Sequence, residues 1–117
     1  MTKQPLLLTL NKIELEMKRI GMWQAVPPPT EAFASETPFF LDTMALNEWM
    51  QWVFIARFKA LLDGNFELPS RCAVAPVLEE FCRANSIAGE QWVALVKQFD
   101  ELISGGAEAN PNELSSS

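Results

Sequence analysis

Apolar side chains recur at helical spacing in four stretches of the chain. The first covers about residues 5–20, and the others cover residues 43–63, 75–84 and 87–104. Steps of three and four positions between apolar residues are typical of one face of an α-helix. The pattern therefore predicts an all-α fold, a single-domain four-helix bundle. In the first stretch these steps join Leu6, Leu10, Ile13, Met17 and Ile20.

The second predicted helix is expected to lie at the centre of the bundle, because residues 46–62 are apolar on nearly all sides. At about 100° per residue, Arg57 falls within one apolar face. Trp49 and Trp52 fall on a second face beside small alanines. The few other polar residues, Gln51 among them, mark a narrow strip that is expected to face solvent.

Prolines interrupt the helical pattern between the first and second helices. Pro27, Pro28 and Pro29 follow one another, and they impose an extended course without backbone N–H donors. Residues 24–41 also contain several aromatic side chains, which a free linker does not need. We therefore expect this long crossover to be an ordered, proline-rich arm that lies against the bundle.

Ordinary start and stop residues set the expected helix ends. Asp42 or Thr43 is the expected N-cap of the second helix, and Ser86 that of the fourth. A pair of glycines after residue 104 is expected to end the fourth helix. Residues 1–106 are thus predicted to form the bundle, and the small, polar and acidic residues 107–117 a disordered tail.

The composition removes several classes of enzyme. Histidine is absent, which excludes a Ser-His-Asp or Cys-His nucleophile and removes a common zinc ligand. Cys72 and Cys82 match neither a disulfide framework nor a zinc-binding pattern, so they are expected to be incidental free thiols. The sequence therefore predicts no catalytic residue, no metal site and no cofactor.

Charge and hydropathy limit the surfaces that the chain can bind. Its net charge of −6 argues against direct nucleic-acid binding, which needs a clustered basic face. Lys12, Lys18 and Arg19 give the first segment a positive balance, and they are expected to form a solvated face. The N-terminal apolar run is too short for a signal peptide or a membrane span. We expect a cytoplasmic protein that does not associate with membranes.

One long motif begins before the second helix and continues beyond it. Its first part reads TPFFLDTM, and its second part reads EWMQWVFIAR. Shorter matches follow at LLD, LP and AVAP, up to Pro76. Through these residues, which together span 35–76, the chain resembles the YqcC-like family of small bacterial proteins.

The resemblance implies a fold and a partner but no chemistry. Members of the family are four-helix bundles, and no activity, cofactor or catalytic residue is established for them. Their genes often lie beside a gene for a transfer-RNA pseudouridine synthase, which implies another protein as partner. The family often has proline where this chain has Ala56, so a straight second helix is expected here.

Two charged residues near the second helix have both a structural and a functional interpretation. An unpaired buried guanidinium is costly. Arg57 is therefore expected to pair with a carboxylate or with carbonyls of the arm, or else to contact an anion in a pocket. Asp42 is either a helix cap or an acid or base beneath the adjoining phenylalanines, and the second role requires a pKa raised by desolvation.

Four aromatic side chains near the start of the second helix could fill the core or line a groove. They are Phe39, Phe40, Trp49 and Trp52. The sequence favours a non-catalytic protein–protein interaction or accessory module, with the synthase as the partner that the resemblance implies. The alternative is a protein that binds a small anionic ligand or a peptide in a pocket between the 33–42 arm and the second helix. A homodimer is also left open.

Overall fold

The computed structural model describes residues 4–64, 66–69 and 71–107, with side chains up to residue 104. Within these ranges the chain contains four helices and no strand, so the predicted all-α fold is confirmed. The helices are α1 (Gln4–Arg19), α2 (residues 46–63), α3 (Ala75–Ala84) and α4 (Glu90–Ala107). The arm between α1 and α2 has two short 3₁₀ turns, Thr30–Ala34 and Pro38–Phe40.

Helix α2 is continuous, but it is not α-helical throughout. An α-helical turn, Leu46–Trp49, leads into a π-helical segment, Met50–Ile55, and the α-helix resumes at Ala56–Asp63. The assumption of 100° per residue along the whole helix therefore does not hold. A π-helical turn holds more residues than an α-helical turn, so it rotates every later residue relative to an unbroken α-helix. The faces assigned at 100° per residue are displaced accordingly.

The structure corrects two expectations for α2. Arg57 is exposed, although the α-helical projection put it within an apolar face. Gln51 is only 5% exposed, although it was expected on the solvent-facing strip. The sequence periodicity therefore assigned these two polar residues of α2 to the wrong sides of the helix.

The hydrophobic core is built from the apolar stripes of all four helices. Helix α1 packs mainly against α4. At the centre, the ring of Phe99 stands edge-on to Phe58, with ring centroids 4.9 Å apart, and edge-on to Phe54 at 5.4 Å. Such pairs stabilise a core beyond the area they bury. The largest fully buried side chains are Trp92, Phe99, Leu10, Ile13, Met17, Leu46, Met50, Leu78 and Val96.

Neither predicted N-cap of α2 caps it. The helix begins at Leu46, three residues later than expected, and Ala45 occupies the N-cap position. Glu48 Oε1 accepts a hydrogen bond from the Ala45 amide at 2.8 Å, which supplies half of a capping box. Asp42 and Thr43 instead bind groups within the arm, and this leaves the cap to a residue with no polar side chain.

Helix α4 also differs from its expected bounds. Ser86 does not cap it, because this residue adopts a left-handed φ of 56° and the helix begins only at Glu90. The helix then continues through Ala107, past the two glycines that were expected to end it. The remainder of the expected disordered tail, residues 108–117, lies outside the described residues. Helix α3, by contrast, has the predicted bounds of 75–84.

Gly89→Ala should lower the free energy of unfolding by about 1–3 kcal/mol, as overpacking does in well-packed sites. A Cβ at this buried position would lie 2.8 Å from the Sγ of Cys82, which is also buried. Urea unfolding of Gly89→Ala, Cys82→Ala and the double variant measures the effect. The alanine at 89 should cost less where Cys82→Ala has removed the sulfur, and an equal cost in both backgrounds would contradict this explanation.

Candidate functional site

The arm is fastened to α2 by two buried side-chain amides. Gln51 Oε1 accepts a hydrogen bond from the Gln24 amide at 2.8 Å, and Gln51 Nε2 donates to the Gln24 carbonyl at 2.7 Å. One turn earlier, Asn47 Nδ2 donates to the Met22 carbonyl at 3.3 Å. These contacts satisfy backbone groups that the irregular arm cannot pair with a neighbouring strand or helix. They fix where the arm starts along α2.

Hydrogen bonds within the arm hold its second half in a folded loop. Thr43 Oγ1 donates to the Ala32 carbonyl at 2.8 Å. Ser35 Oγ donates to Asp42 Oδ1 at 2.5 Å and accepts from the Thr37 amide at 3.0 Å. The hydrogen bond from Ser35 lowers the pKa of Asp42 below its ordinary value. This carboxylate is exposed and stays ionised, so it does not suit a proton donor at neutral pH.

Two consecutive phenylalanines at the end of the arm adopt a left-handed backbone conformation. Phe39 has a φ of 58° and Phe40 a φ of 54°. Residues other than glycine, asparagine and aspartate rarely adopt this backbone conformation, because it costs about 1–3 kcal/mol per residue. Because of this turn, the two rings lie in different parts of the molecule. Phe39 packs edge-on to Trp49 with centroids 5.0 Å apart, whereas Phe40 faces a separate surface groove.

The pair formed by Phe39 and Trp49 belongs to the edge of the core. Both rings are half-buried against the core cluster. Trp49 also contacts Phe54, with ring centroids 5.5 Å apart. Of the two interpretations of these aromatic residues, packing against the core describes this pair.

The arm groove is the depression between the second half of the arm and α2. It has a volume of about 400 Å³. Arg57 is exposed at this groove, and it forms no ion pair with any residue in the described ranges. Trp52 is half-buried, and its Nε1 has no acceptor among the described residues. The lining residues are Phe33, Phe40, Trp52, Val53, Ala56 and Arg57.

The predicted site residues thus separate into three groups. Phe40, Trp52 and Arg57 meet in the arm groove, Phe39 and Trp49 pack together beside the core, and Asp42 binds Ser35 within the arm. Sequence reasoning missed the two amides that hold the arm, at positions 47 and 51. Their spacing of four residues places them on one helix face, which is the only signal that could have suggested a shared role.

The electrostatics of the arm groove favour an anionic group. Of the residues that the structure describes, Arg57 is the only charged one that lines it, and no carboxylate does. A guanidinium offers a planar set of donors that matches a carboxylate or phosphate. The aromatic and aliphatic walls favour an apolar group beside that anion.

Neither thiol of the described ranges lines the arm groove. Burial, and the Asp100 carboxylate nearby, raise the pKa of Cys72, so this thiol stays protonated. Burial likewise raises the pKa of Cys82. Asp100 has a structural contact, since its Oδ2 accepts a hydrogen bond from the Ala75 amide at the start of α3 at 2.8 Å. Among these same residues, no cluster of cysteine and carboxylate side chains is suited to hold a metal ion.

None of the described helices is both long and apolar enough to cross a membrane.

Comparison with known proteins identifies relatives along most of the chain. A family model described as tRNA pseudouridine synthase C (DUF446) matches residues 6–102. The uncharacterised protein YqcC of Escherichia coli K12 is 40% identical over 100 residues, which cover 86% of this chain and 92% of YqcC. The solution NMR structure of E. coli YqcC aligns with a TM-score of 0.76 at 33% identity, over 86% of each chain.

Two further relatives match shorter stretches. An uncharacterised protein of Haemophilus influenzae is 46% identical over 71 residues, which are 61% of this chain and 67% of that protein. A protein of Pectobacterium carotovorum named tRNA pseudouridine synthase C is 51% identical over 61 residues. That match covers 52% of this chain but only 16% of the longer protein. On the match to YqcC over most of both chains, and on the shared fold, the chain belongs to the YqcC-like family of helical proteins.

Proposed function

We propose that this protein is a non-catalytic accessory module that binds a tRNA pseudouridine synthase. The observation that carries the proposal is the relative named tRNA pseudouridine synthase C, in which the segment similar to this chain makes up 16% of the length. A segment that is covalently joined to a larger protein in one organism can act as a separate binding partner in another. The description of the matching family points to the same enzyme.

The chemistry of the described residues supports an accessory role. General acid–base catalysis needs a group whose pKa lies near the working pH. The pKa of Asp42 is lowered, and the pKa values of both cysteines are raised, so each moves away from that range. The exposed surface instead offers apolar side chains and grooves, which suit the binding of another protein.

Size-exclusion chromatography with light scattering tests the proposal. The purified chain is mixed at micromolar concentration with the tRNA pseudouridine synthase C of the same organism, and each protein is also run alone. We expect a new species whose mass is the sum of the two partners. Separate elution of both proteins would contradict the proposal, and the run of the chain alone establishes whether it is a monomer or a homodimer.

A second candidate function is the binding of a small anionic ligand or a peptide in the arm groove. The specific observation is the exposed guanidinium of Arg57 beside the rings of Phe40 and Trp52. Two uncommon backbone features also border this groove. They are the π-helical segment that carries Trp52 and the left-handed turn that carries Phe40. Both kinds of feature occur preferentially at functional sites.

Arg57→Gln should weaken the binding of phenylacetate to the arm groove by about three- to tenfold, because an exposed ion pair contributes on the order of 1 kcal/mol. The measurement is an NMR titration of the ¹⁵N-labelled chain, in which the amides of residues 52–57 should shift. Arg71→Gln removes an exposed arginine that does not line the groove, and it serves as the matched control. Equal affinities for both variants, or shifts confined to other regions, would reject this site.

A further inference from the structure

Helix α1 exposes leucines on the side that faces away from the bundle. Its buried stripe includes Leu10, Ile13 and Met17, and the helix packs mainly against α4. On the opposite side, Leu8 is 54% exposed and Leu15 is 65% exposed. Both leucines lie well inside α1, one on each side of its midpoint. The bundle therefore leaves this apolar strip uncovered.

Two cations flank the exposed leucines. At 100° per residue, Leu8, Lys12, Leu15 and Arg19 lie within about 60° of one another on the helix surface. All four residues are exposed. Lys12 forms no ion pair with any side chain in the described part of the chain. These four residues define what we call the α1 face.

Both glutamates of α1 are ion-paired, and one of their partners is Arg19 of the α1 face. Glu14 forms ion pairs with Lys18 and Lys59, each at 2.9 Å, and these contacts hold its pKa below the ordinary value. Glu16 is buried and pairs with Arg19 at 2.5 Å. Glu14 is half-buried and Glu16 is buried, so neither glutamate of α1 is fully exposed to solvent. The α1 face is thus apolar, with one cation, Lys12, that has no ion-pair partner among the described residues, on a chain whose net charge is −6.

We propose that the α1 face is a docking surface for an acidic amphipathic helix of a protein partner. Leucines seven residues apart on one helix lie about 10 Å from each other along its axis. This distance matches the i and i+7 positions of an amphipathic helix packed alongside. Charge complementarity selects a partner helix with glutamates or aspartates at the edges of its apolar stripe.

Other occupants fit the α1 face less well. A second copy related by two-fold symmetry would bring the Lys12 side chains of both copies into one interface, and like charges close together across an interface are unfavourable. Nucleic acid would contact the cations through its phosphates and would leave the leucines without apolar contacts. The inference rests on the proposed function only in naming the synthase as the protein that supplies the helix.

Two titrations of the ¹⁵N-labelled full chain test the inference. The first uses a synthetic helical peptide with one leucine stripe flanked by glutamates, and a control peptide with lysines in place of the glutamates. The second uses the purified tRNA pseudouridine synthase C. Each is repeated with the double variant Leu8→Gln/Leu15→Gln and with Leu41→Gln. The latter removes a comparably exposed leucine, 51% exposed, from a different surface.

The glutamate peptide should shift the amides of residues 7–19 and should bind at least about tenfold more tightly than the lysine peptide. The double variant should lose at least about tenfold in affinity for both the glutamate peptide and the synthase, and Leu41→Gln should lose none. Absence of peptide binding, shifts that map elsewhere, or equal binding of both peptides would overturn the inference.

The synthase titration separates this inference from the proposed function. If the peptide binds to the α1 face but the synthase does not bind the chain, the proposed function fails and the docking surface stands. If the synthase binds the wild-type chain and the double variant equally, the proposed function stands and the inference is overturned.

Discussion

Phe99→Ala should lower the free energy of unfolding by about 3–5 kcal/mol, which is the usual cost of replacing a fully buried phenylalanine with alanine. Phe99 has no exposed surface, and its ring contacts the rings of Phe54 and Phe58. The substitution would remove both edge-to-face contacts and leave a cavity where α2 meets α4. Stabilities of single small domains range from about 5 to 15 kcal/mol, so the loss is a large fraction of the total.

Urea unfolding followed by circular dichroism measures this loss. Gln91→Ala is the matched control, because Gln91 is exposed on the same helix. Its effect should stay within about 0.5 kcal/mol, as for most surface substitutions. A loss of less than about 1.5 kcal/mol for Phe99→Ala would contradict the central position of this ring in the core.

Gln51→Leu should destabilise the protein by about 2–4 kcal/mol and release the arm from α2. The leucine fills a similar space but leaves the amide and carbonyl of Gln24 without partners, at about 1–3 kcal/mol for a fully buried group and less at this half-buried residue. Hydrogen exchange of the arm amides, at residues 30–44, should accelerate more than exchange in α4. The groove should lose ligand affinity in parallel, because the arm forms one of its walls.

Gln98→Leu is the control for this second prediction, since Gln98 is exposed on α4 and makes no side-chain hydrogen bond within the described residues. It should leave arm exchange unchanged. If Gln51→Leu accelerates exchange uniformly through the molecule, the two hydrogen bonds stabilise the whole fold and do not specifically hold the arm.

The number of helices and the all-α fold could be predicted from the sequence because hydrophobic periodicity reflects burial directly. The bounds of α3 were also predictable, since Pro76 suits a first turn and Asn85 follows the last apolar position. The start of α2 was not, because Asp42 and Thr43 have the right chemistry for a cap but use it on Ser35 and Ala32. Local propensity cannot show which of several backbone groups a polar side chain will bind.

The candidate site was only partly predictable for a related reason. The hydrophobic pattern does not indicate the π-helical segment in α2, and Arg57, which follows that segment, faces solvent. The sequence does not indicate the left-handed turn at Phe39 and Phe40 either. This turn places the ring of Phe39 at the edge of the core and the ring of Phe40 at the groove. Both features arise from tertiary packing, which overrides the local preferences of the residues involved.

Affinity purification from the native cells tests the central claim most directly. The chain is expressed from its own locus with a tag, and the proteins that co-purify are quantified by mass spectrometry against an untagged strain. The account predicts that the tRNA pseudouridine synthase C is enriched with the tagged chain, and that Leu8→Gln/Leu15→Gln reduces this enrichment while Leu41→Gln does not. Equal amounts of the synthase in the tagged and untagged samples would contradict the proposal that this protein is its accessory module.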